Sequence, residues 1–277
     1  MVSSILRYLF ALLEPRSGAR VFAFWPCRIA SVGENRKLLG KVAMVFGGSR
    51  GIGAAIVQRL AEDGADVALT YVSAANKAAE AVEAVEAAGR RGLAIKADSA
   101  DAVAIQEAVA QVVGRFGRLD IVAVNAGILR LGSVEDVSLE DLDRMLDVNV
   151  RGVFVAIQAA ARLLADGGRL ITIGSNTAIR TGFPGSSVYS MTKAAVATMV
   201  KGIALDLAPR SITVNNVQPG PTETDMTVDH LQMVKSLVPL GRVGQPREIA
   251  GLVAYLASEE SAYMTGASLT IDGGYVL

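Results

Sequence analysis

From Lys41 onward the chain alternates short apolar runs with longer stretches in which apolar residues recur every three to four positions. The short runs fit strands buried on both faces and the longer stretches fit amphipathic helices, so the alternation predicts a parallel sheet with helices on both sides. Strands are predicted at Val42–Phe46, Asp66–Val72, Gly92–Ala97, Leu119–Val124, Arg169–Gly174, Ile212–Val217 and Ser268–Ile271. The intervening helices are predicted at Gly51–Asp63, Ala74–Ala88, Ala102–Phe116, Leu139–Leu164, Val188–Leu207 and Pro246–Ala257, with Pro219-Gly220-Pro221 read as an irregular turn. The alanine-rich second and third helices carry small side chains that permit close packing on the sheet.

The chain has 277 residues, 51% of them apolar, which is enough for one large α/β domain with a substantial core. Lys plus Arg equals Asp plus Glu at 27 each, so no basic excess points to a nucleic-acid partner and small-molecule chemistry is expected. A single cysteine, Cys27, and a single histidine, His230, exclude an intramolecular disulfide and offer no metal site; a cytoplasmic setting is expected. No apolar run reaches the ~20 residues needed to span a bilayer, and no membrane association is expected. Residues 1–37 differ in character: Arg7, Arg16, Arg20, Arg28 and Arg36 face only Glu14 and Glu34. Such a segment resembles an organellar leader or an appended extension, and it is set outside the folded domain, which is expected over residues 38–277.

The chemistry concentrates after the first strand. Gly47-Gly48-Ser49-Arg50-Gly51-Ile52-Gly53 joins a predicted strand to a predicted helix, where glycines let phosphates approach the helix N-terminus and its unpaired amides. The second strand ends Leu69-Thr70-Tyr71-Val72-Ser73, without the carboxylate that commonly holds the ribose hydroxyls of NAD. Arg50, Ser73, Asn76 and Lys77 instead offer charge and donors to a 2′-phosphate, so NADP(H) is the expected cofactor. Downstream, Tyr189 and Lys193 stand at i and i+4 on one helix face, which brings an ammonium near a phenol. A neighbouring cation favours the phenolate and is expected to lower the Tyr189 pKa toward a working range. With Ser175 at a strand end and Asn149 earlier, the order predicts carbonyl or alcohol redox chemistry on a nicotinamide cofactor.

These residues closely resemble the short-chain dehydrogenase/reductase family, from Leu38 to Leu277 and including the tail Ile271-Asp272-Gly273-Gly274. The resemblance implies a single Rossmann-type, doubly wound, seven-stranded parallel sheet and a homotetramer. It implies cofactor contacts from Gly47, Ser49, Arg50, Gly51, Ile52, Gly53, Tyr71 and Ser73. Asp98 and Ser99 would flank the adenine, Asn125, Ala126 and Gly127 would line the cleft, and Pro219, Gly220, Thr222 and Thr224 would hold the nicotinamide and phosphates. Asn149, Ser175, Tyr189 and Lys193 match the catalytic tetrad, the last two also touching cofactor. Phe46 and Val124 depart from the family pattern, and Ser175 precedes Tyr189 by fourteen residues rather than thirteen, which leaves Asn176 and Thr177 as rival polar partners.

The implied activity is NADPH-dependent reduction of a ketone or aldehyde, with a 3-oxoacyl thioester among the candidate substrates and a sugar or polyol dehydrogenase as an alternative. A second class is kept beside it, because Asp98-Ser99-Ala100-Asp101, Val124-Asn125-Ala126-Gly127 and Val217-Gln218-Pro219-Gly220-Pro221 resemble a branch that includes a biofilm-dispersal protein binding cyclic di-GMP. Substrate determinants are expected in Ile128–Leu131, Arg180–Pro184 and Thr222–Leu240, with Met226, Leu231, Met233 and Leu237 able to cover an apolar ligand.

Overall fold

The computed structural model describes residues 36–225, 227 and 234–277. Residues 1–35, Cys27 among them, and Met226, His230, Leu231 and Met233, which the sequence analysis singled out, lie outside the described residues. Residues 36–277 form one compact unit, with Leu38 already buried and Lys37 paired to Glu260 at 2.9 Å.

Seven parallel strands form one sheet in the order β3-β2-β1-β4-β5-β6-β7. They are β1 (Val42–Phe46), β2 (Asp66–Tyr71), β3 (Gly92–Lys96), β4 (Ile121–Val124), β5 (Arg169–Ile173), β6 (Thr213–Pro219) and β7 (Ser268–Ile271). The helices are α1 (Gly51–Glu62), α2 (Ala75–Ala87), α3 (Ala102–Phe116), α4 (Leu139–Leu146), α5 (Gly152–Leu163), α6 (Ser187–Leu207) and α7 (Pro246–Ala257). Sequence order reverses between β1 and β4, and the crevice at the carboxyl ends of those strands is where a doubly wound sheet binds ligands.

Side chains alternate across each strand and so feed two cores. Met44 and Phe46 join Val109, Val112, Ile157 and Val200 under α3, α5 and α6, whereas Ala43 and Val45 join Ile56, Leu60, Val85 and Val253 under α1, α2 and α7. Phe46 and Val124, the two departures from the family pattern, are buried members of the first core.

Two elements differ from the sequence reading. The single helix expected over Leu139–Leu164 is interrupted by a π-helical turn at Asp147–Arg151 that separates α4 from α5. One extra residue in a turn leaves the apolar spacing nearly intact, so periodicity does not reveal it. β6 also continues through Pro219, which pairs with Ile271 of β7. The Val217 carbonyl accepts from Gly174 N–H at 2.7 Å on the β5 side; two residues later the missing Pro219 N–H faces the same side, beyond the end of β5, and costs no ladder bond.

Candidate active site

The dinucleotide turn is built by backbone that cannot tolerate side chains. Gly47 and Gly51 have φ of +72° and +54°, and a Cβ on Gly53 would stand 2.0 Å from the Gly47 carbonyl oxygen. The turn is pinned from both neighbouring strands: Gly47 N–H donates to Thr70 Oγ1 at 3.0 Å, and Asn125 Nδ2 donates to the Gly47 carbonyl at 2.8 Å. Arg50 is the residue before α1, in extended conformation, and makes no side-chain cap. The first amides of α1 therefore stay free to meet an anion, reinforced by the positive end of the helix dipole. Glycine cradle and open helix terminus fit the diphosphate of a dinucleotide, and exposed Arg50 beside them offers charge to a further anionic group.

Tyr71 closes β2 half-buried, with Ser73 exposed just beyond it, and the strand carries no carboxylate toward the crevice. Asp98 does lie past β3, but its carboxylate is already engaged by Ala100 N–H and by Arg144 of α4, each at 2.9 Å. Burial tends to raise the Asp98 pKa, and these two partners outweigh it and hold the group below the usual carboxylate range. Ser99 is buried, and its carbonyl leaves no room for a Cβ on Gly152. Ala126 packs against Gly47, and Gly127 lies beside both Asn149 and Lys193: a Cβ there would be 3.4 Å from Asn149 Oδ1 and from Lys193 Nζ.

Asn149 sits inside the π-helical turn and is fully buried. Its Oδ1 accepts from Ile128 N–H and its Nδ2 donates to the Ile128 carbonyl, both at 2.8 Å. The same amide reaches Thr192 Oγ1 at 3.2 Å, and Thr192 in turn donates to the Tyr189 carbonyl at 2.7 Å. The side chain thus ties the loop after β4 to the helix that carries Tyr189 and Lys193. The extra residue of the π turn is what re-aims it.

Ser175 ends the β5 connection and caps a short 3₁₀ turn, Asn176–Ala178. Its Oγ accepts from Thr177 N–H at 3.2 Å and from Thr177 Oγ1 at 3.0 Å. A hydroxyl has two acceptor lone pairs, so these two bonds leave the Ser175 proton to be donated elsewhere. Asn176 is turned away, donating to Asp272 at 3.2 Å. Of the three rival polar groups, Ser175 faces the Tyr189 phenol, Thr177 orients it and Asn176 serves the C-terminal strand end.

Half-buried Tyr189 and buried Lys193 share one face of α6, with Nζ 5.6 Å from the phenol ring centroid. Nζ donates to the Ile173 carbonyl at 3.1 Å. Burial pushes the Tyr189 phenol up to about 12, opposed by its hydrogen bond with Ser175, and burial pushes the Lys193 ammonium down to about 8. The expectation that Lys193 lowers the Tyr189 pKa is therefore corrected. Desolvation disfavours both charged forms and exceeds the attraction between them at this separation.

Pro219 ends β6 and Gly220 follows it against the C-terminal strand, where a Cβ on Gly220 would meet Asp272 at 2.4 Å. Thr222 Oγ1 donates to the Gly220 carbonyl at 2.9 Å, and Thr224 N–H donates to Thr227 Oγ1 at 3.1 Å. The Thr224 methyl lies over the glycine turn, 3.3 Å from the position of a Cβ on Gly51. The substrate-side loops after β4 and β5 meet through Gly132 N–H and the Gly185 carbonyl at 3.0 Å, presenting exposed Leu131, Ile179 and Phe183. Sequence reasoning did not find Thr70, Arg144, Thr177 as an orienting group, Thr192 or Asp225. Only Thr192, three residues after Tyr189 on the same helix, had a spacing signal.

A seven-stranded parallel Rossmann-type sheet with tyrosine, lysine, serine and asparagine at its crevice defines a class of nucleotide-dependent oxidoreductases. The family model described as Enoyl-(Acyl carrier protein) reductase matches residues 47–276, and the chain belongs to the short-chain dehydrogenase/reductase family. It is 57% identical to a short-chain dehydrogenase/reductase from Serratia marcescens, at a TM-score of 0.85 over 87% of this chain and 100% of that one. A Burkholderia cenocepacia short-chain dehydrogenase solved in complex with NADP is 50% identical, at a TM-score of 0.85 and the same coverage of both chains. The cyclic-di-GMP-binding biofilm dispersal mediator protein of Escherichia coli is 41% identical over 239 residues, 85% of this chain and 97% of that protein.

Proposed function

We propose that the protein is an NADPH-dependent reductase that converts a ketone or aldehyde to the corresponding alcohol. The observation that carries this reading is the convergence of Ser175, Tyr189 and Lys193 on one point at the carboxyl ends of the strands, beside the glycine cradle. The NADP complex of the Burkholderia relative and the absence of a carboxylate at the end of β2 support the cofactor. Gly47, Ser49, Arg50, Gly51, Ile52 and Gly53 would hold its diphosphate and 2′-phosphate; Asn125, Ala126, Gly127, Pro219, Gly220, Thr222 and Thr224 would line its nicotinamide half. When bound, the cofactor supplies the hydride.

The residues of the chain supply geometry and a proton. Ser175, oriented by Thr177, donates a hydrogen bond to the substrate carbonyl oxygen and stabilises the charge that grows there. Tyr189 gives its phenolic proton to that oxygen as the carbonyl carbon accepts hydride, producing the alcohol and a transient phenolate. A phenol held at about 12 is protonated at neutral pH, which is the form that proton donation requires. Lys193 would position the cofactor ribose and stabilise the transient phenolate, and the Asn149 network holds the loop and α6 in register. Leu131, Ile179 and Phe183 favour a substrate with an apolar body. The exposed Phe154, Met191 and Leu205 of α5 and α6 support assembly into the tetramer that the family resemblance implies. The described residues contain no helix long and apolar enough to cross a membrane.

The second reading, binding of cyclic di-GMP without turnover, is supported by the identity to the E. coli relative. The four-residue constellation favours turnover, because binding alone does not require a proton donor so placed. The test is NADPH oxidation across a panel of ketones, aldehydes and 3-oxoacyl thioesters, with and without cyclic di-GMP. Turnover of at least one carbonyl supports the reductase. Tight cyclic di-GMP binding with no turnover of any carbonyl overturns it.

A further inference from the structure

Arg50 in the glycine turn and Lys77 at the start of α2 both point at one carboxylate. Asp225 Oδ2 lies 3.0 Å from Lys77 Nζ and 3.7 Å from Arg50 Nη1, across a sequence separation of 148 residues for the lysine pair. The carboxylate is held there by its own backbone. Thr227 Oγ1 donates its one proton to the Thr222 carbonyl and accepts from Thr224 N–H, closing a tight hydroxyl-bonded turn around Asp225. The Thr224 methyl stands 3.3 Å from where a Cβ on Gly51 would lie, which places this turn over the glycine turn independently of the charges. The hydrogen bond and charge of Lys77, with Arg50 adding to them, hold Asp225 below the ordinary carboxylate range, so it is anionic at any working pH.

Arg50, in the glycine turn, and Lys77, six residues beyond the end of β2, are also the cations the sequence offers to a 2′-phosphate. We infer that Asp225 is a specificity-determining residue: its carboxylate occupies Arg50 and Lys77 in the manner of the 2′-phosphate, and a 2′-phosphorylated nucleotide must displace it. This rests on the NADPH reading of the same site and deepens it. Two anions sharing one cation pair repel, so each weakens the other's hold. A nucleotide without the 2′-phosphate leaves the Asp225 contacts in place and gains nothing from their removal. Asp225 therefore suppresses affinity for 2′-phosphorylated ligands selectively and leaves the rest of the adenosine site untouched.

The probes are adenosine 2′,5′-bisphosphate and 5′-AMP, which differ only in the 2′-phosphate. Their affinities are measured by calorimetry at low salt on the full chain and on the Asp225→Asn variant. Asp225 is exposed, so neutralising it leaves the core intact, and a circular-dichroism melt checks this. Asp225→Asn is expected to tighten the bisphosphate about three- to tenfold and to leave 5′-AMP unchanged, with the gain fading as salt rises. An unchanged or weakened bisphosphate affinity, or an equal change for both ligands, overturns the inference. The NADPH reading fails separately, if the unaltered chain binds 5′-AMP at least as tightly as the bisphosphate. A selective gain in the variant would then still establish Asp225 as the competing anion.

Discussion

Replacing Lys193 with methionine should stabilise the cofactor-free protein at neutral pH while abolishing its activity. Burial moves the Lys193 pKa from 10.5 to about 8. That displacement corresponds to about 3 kcal/mol at ~1.4 kcal/mol per pH unit, and the residue is buried enough that solvent screening takes little away. The sign follows from where each state holds the proton. Below about 8 both states are charged and the folded state carries the full penalty; between 8 and 10.5 the folded state alone sheds its proton and stability rises; above 10.5 the penalty is gone. Methionine keeps the stem and removes the charge, but it leaves the Ile173 carbonyl without its donor, which costs about 1 kcal/mol. A net gain of about 2 kcal/mol is expected near pH 7, vanishing by about pH 10. Urea unfolding of both proteins, without cofactor, at pH 7 and pH 10 checks this. A Lys193→Met protein that is less stable at pH 7, or equally shifted at both values, would refute the reasoning that burial governs this lysine.

Other expectations follow from the same geometry. The kcat/KM for carbonyl reduction should fall as pH rises through about 8, where Lys193 loses its charge, with no second fall before pH 10 because the Tyr189 phenol stays protonated; a pH–rate profile that is flat to pH 10 contradicts this. Gly53→Ala places a methyl 2.0 Å from the Gly47 carbonyl and should abolish NADPH binding and lower the melting temperature, as fluorescence titration and calorimetry would show. Thr177→Val removes one of two bonds that orient Ser175 and should lower kcat by about tenfold, with NADPH affinity unchanged. Phe154→Glu should shift the protein to a smaller species in size-exclusion chromatography with light scattering, if the exposed face of α5 buries against another copy.

The sheet was legible because its signal is local: apolar runs such as Val42–Phe46 and Ile121–Val124 are buried at every position, and runs that short between turn residues fit strands covered on both faces. The glycine turn was legible for the same reason, since four glycines within the seven residues that join a strand to a helix have few other uses. Asn149 was marked by its order ahead of Ser175, Tyr189 and Lys193, but its place in a catalytic tetrad came only through the family resemblance. Its position depends on a π turn, and a local change of helical pitch leaves no trace in hydrophobic spacing. Thr177 had been weighed as a rival to Ser175; its role as the group that orients Ser175 needs coordinates, because Ser, Asn and Thr in sequence look alike. Asp225 was invisible, as its partners lie 148 and 175 residues away and nothing local marks a carboxylate as someone else's counter-ion. The Tyr189 pKa was misjudged because spacing gives proximity to a cation but not the burial that opposes it.

The central claim is that Tyr189 delivers the proton at this site. Tyr189→Phe keeps the ring and its packing and removes one oxygen, so the decisive measurement is steady-state NADPH oxidation with an accepted carbonyl, paired with NADPH affinity by fluorescence titration. The account predicts a fall in kcat of at least about a hundredfold with the NADPH Kd within about twofold of the unaltered protein. A folded Tyr189→Phe protein that turns over carbonyl at a comparable rate would contradict it.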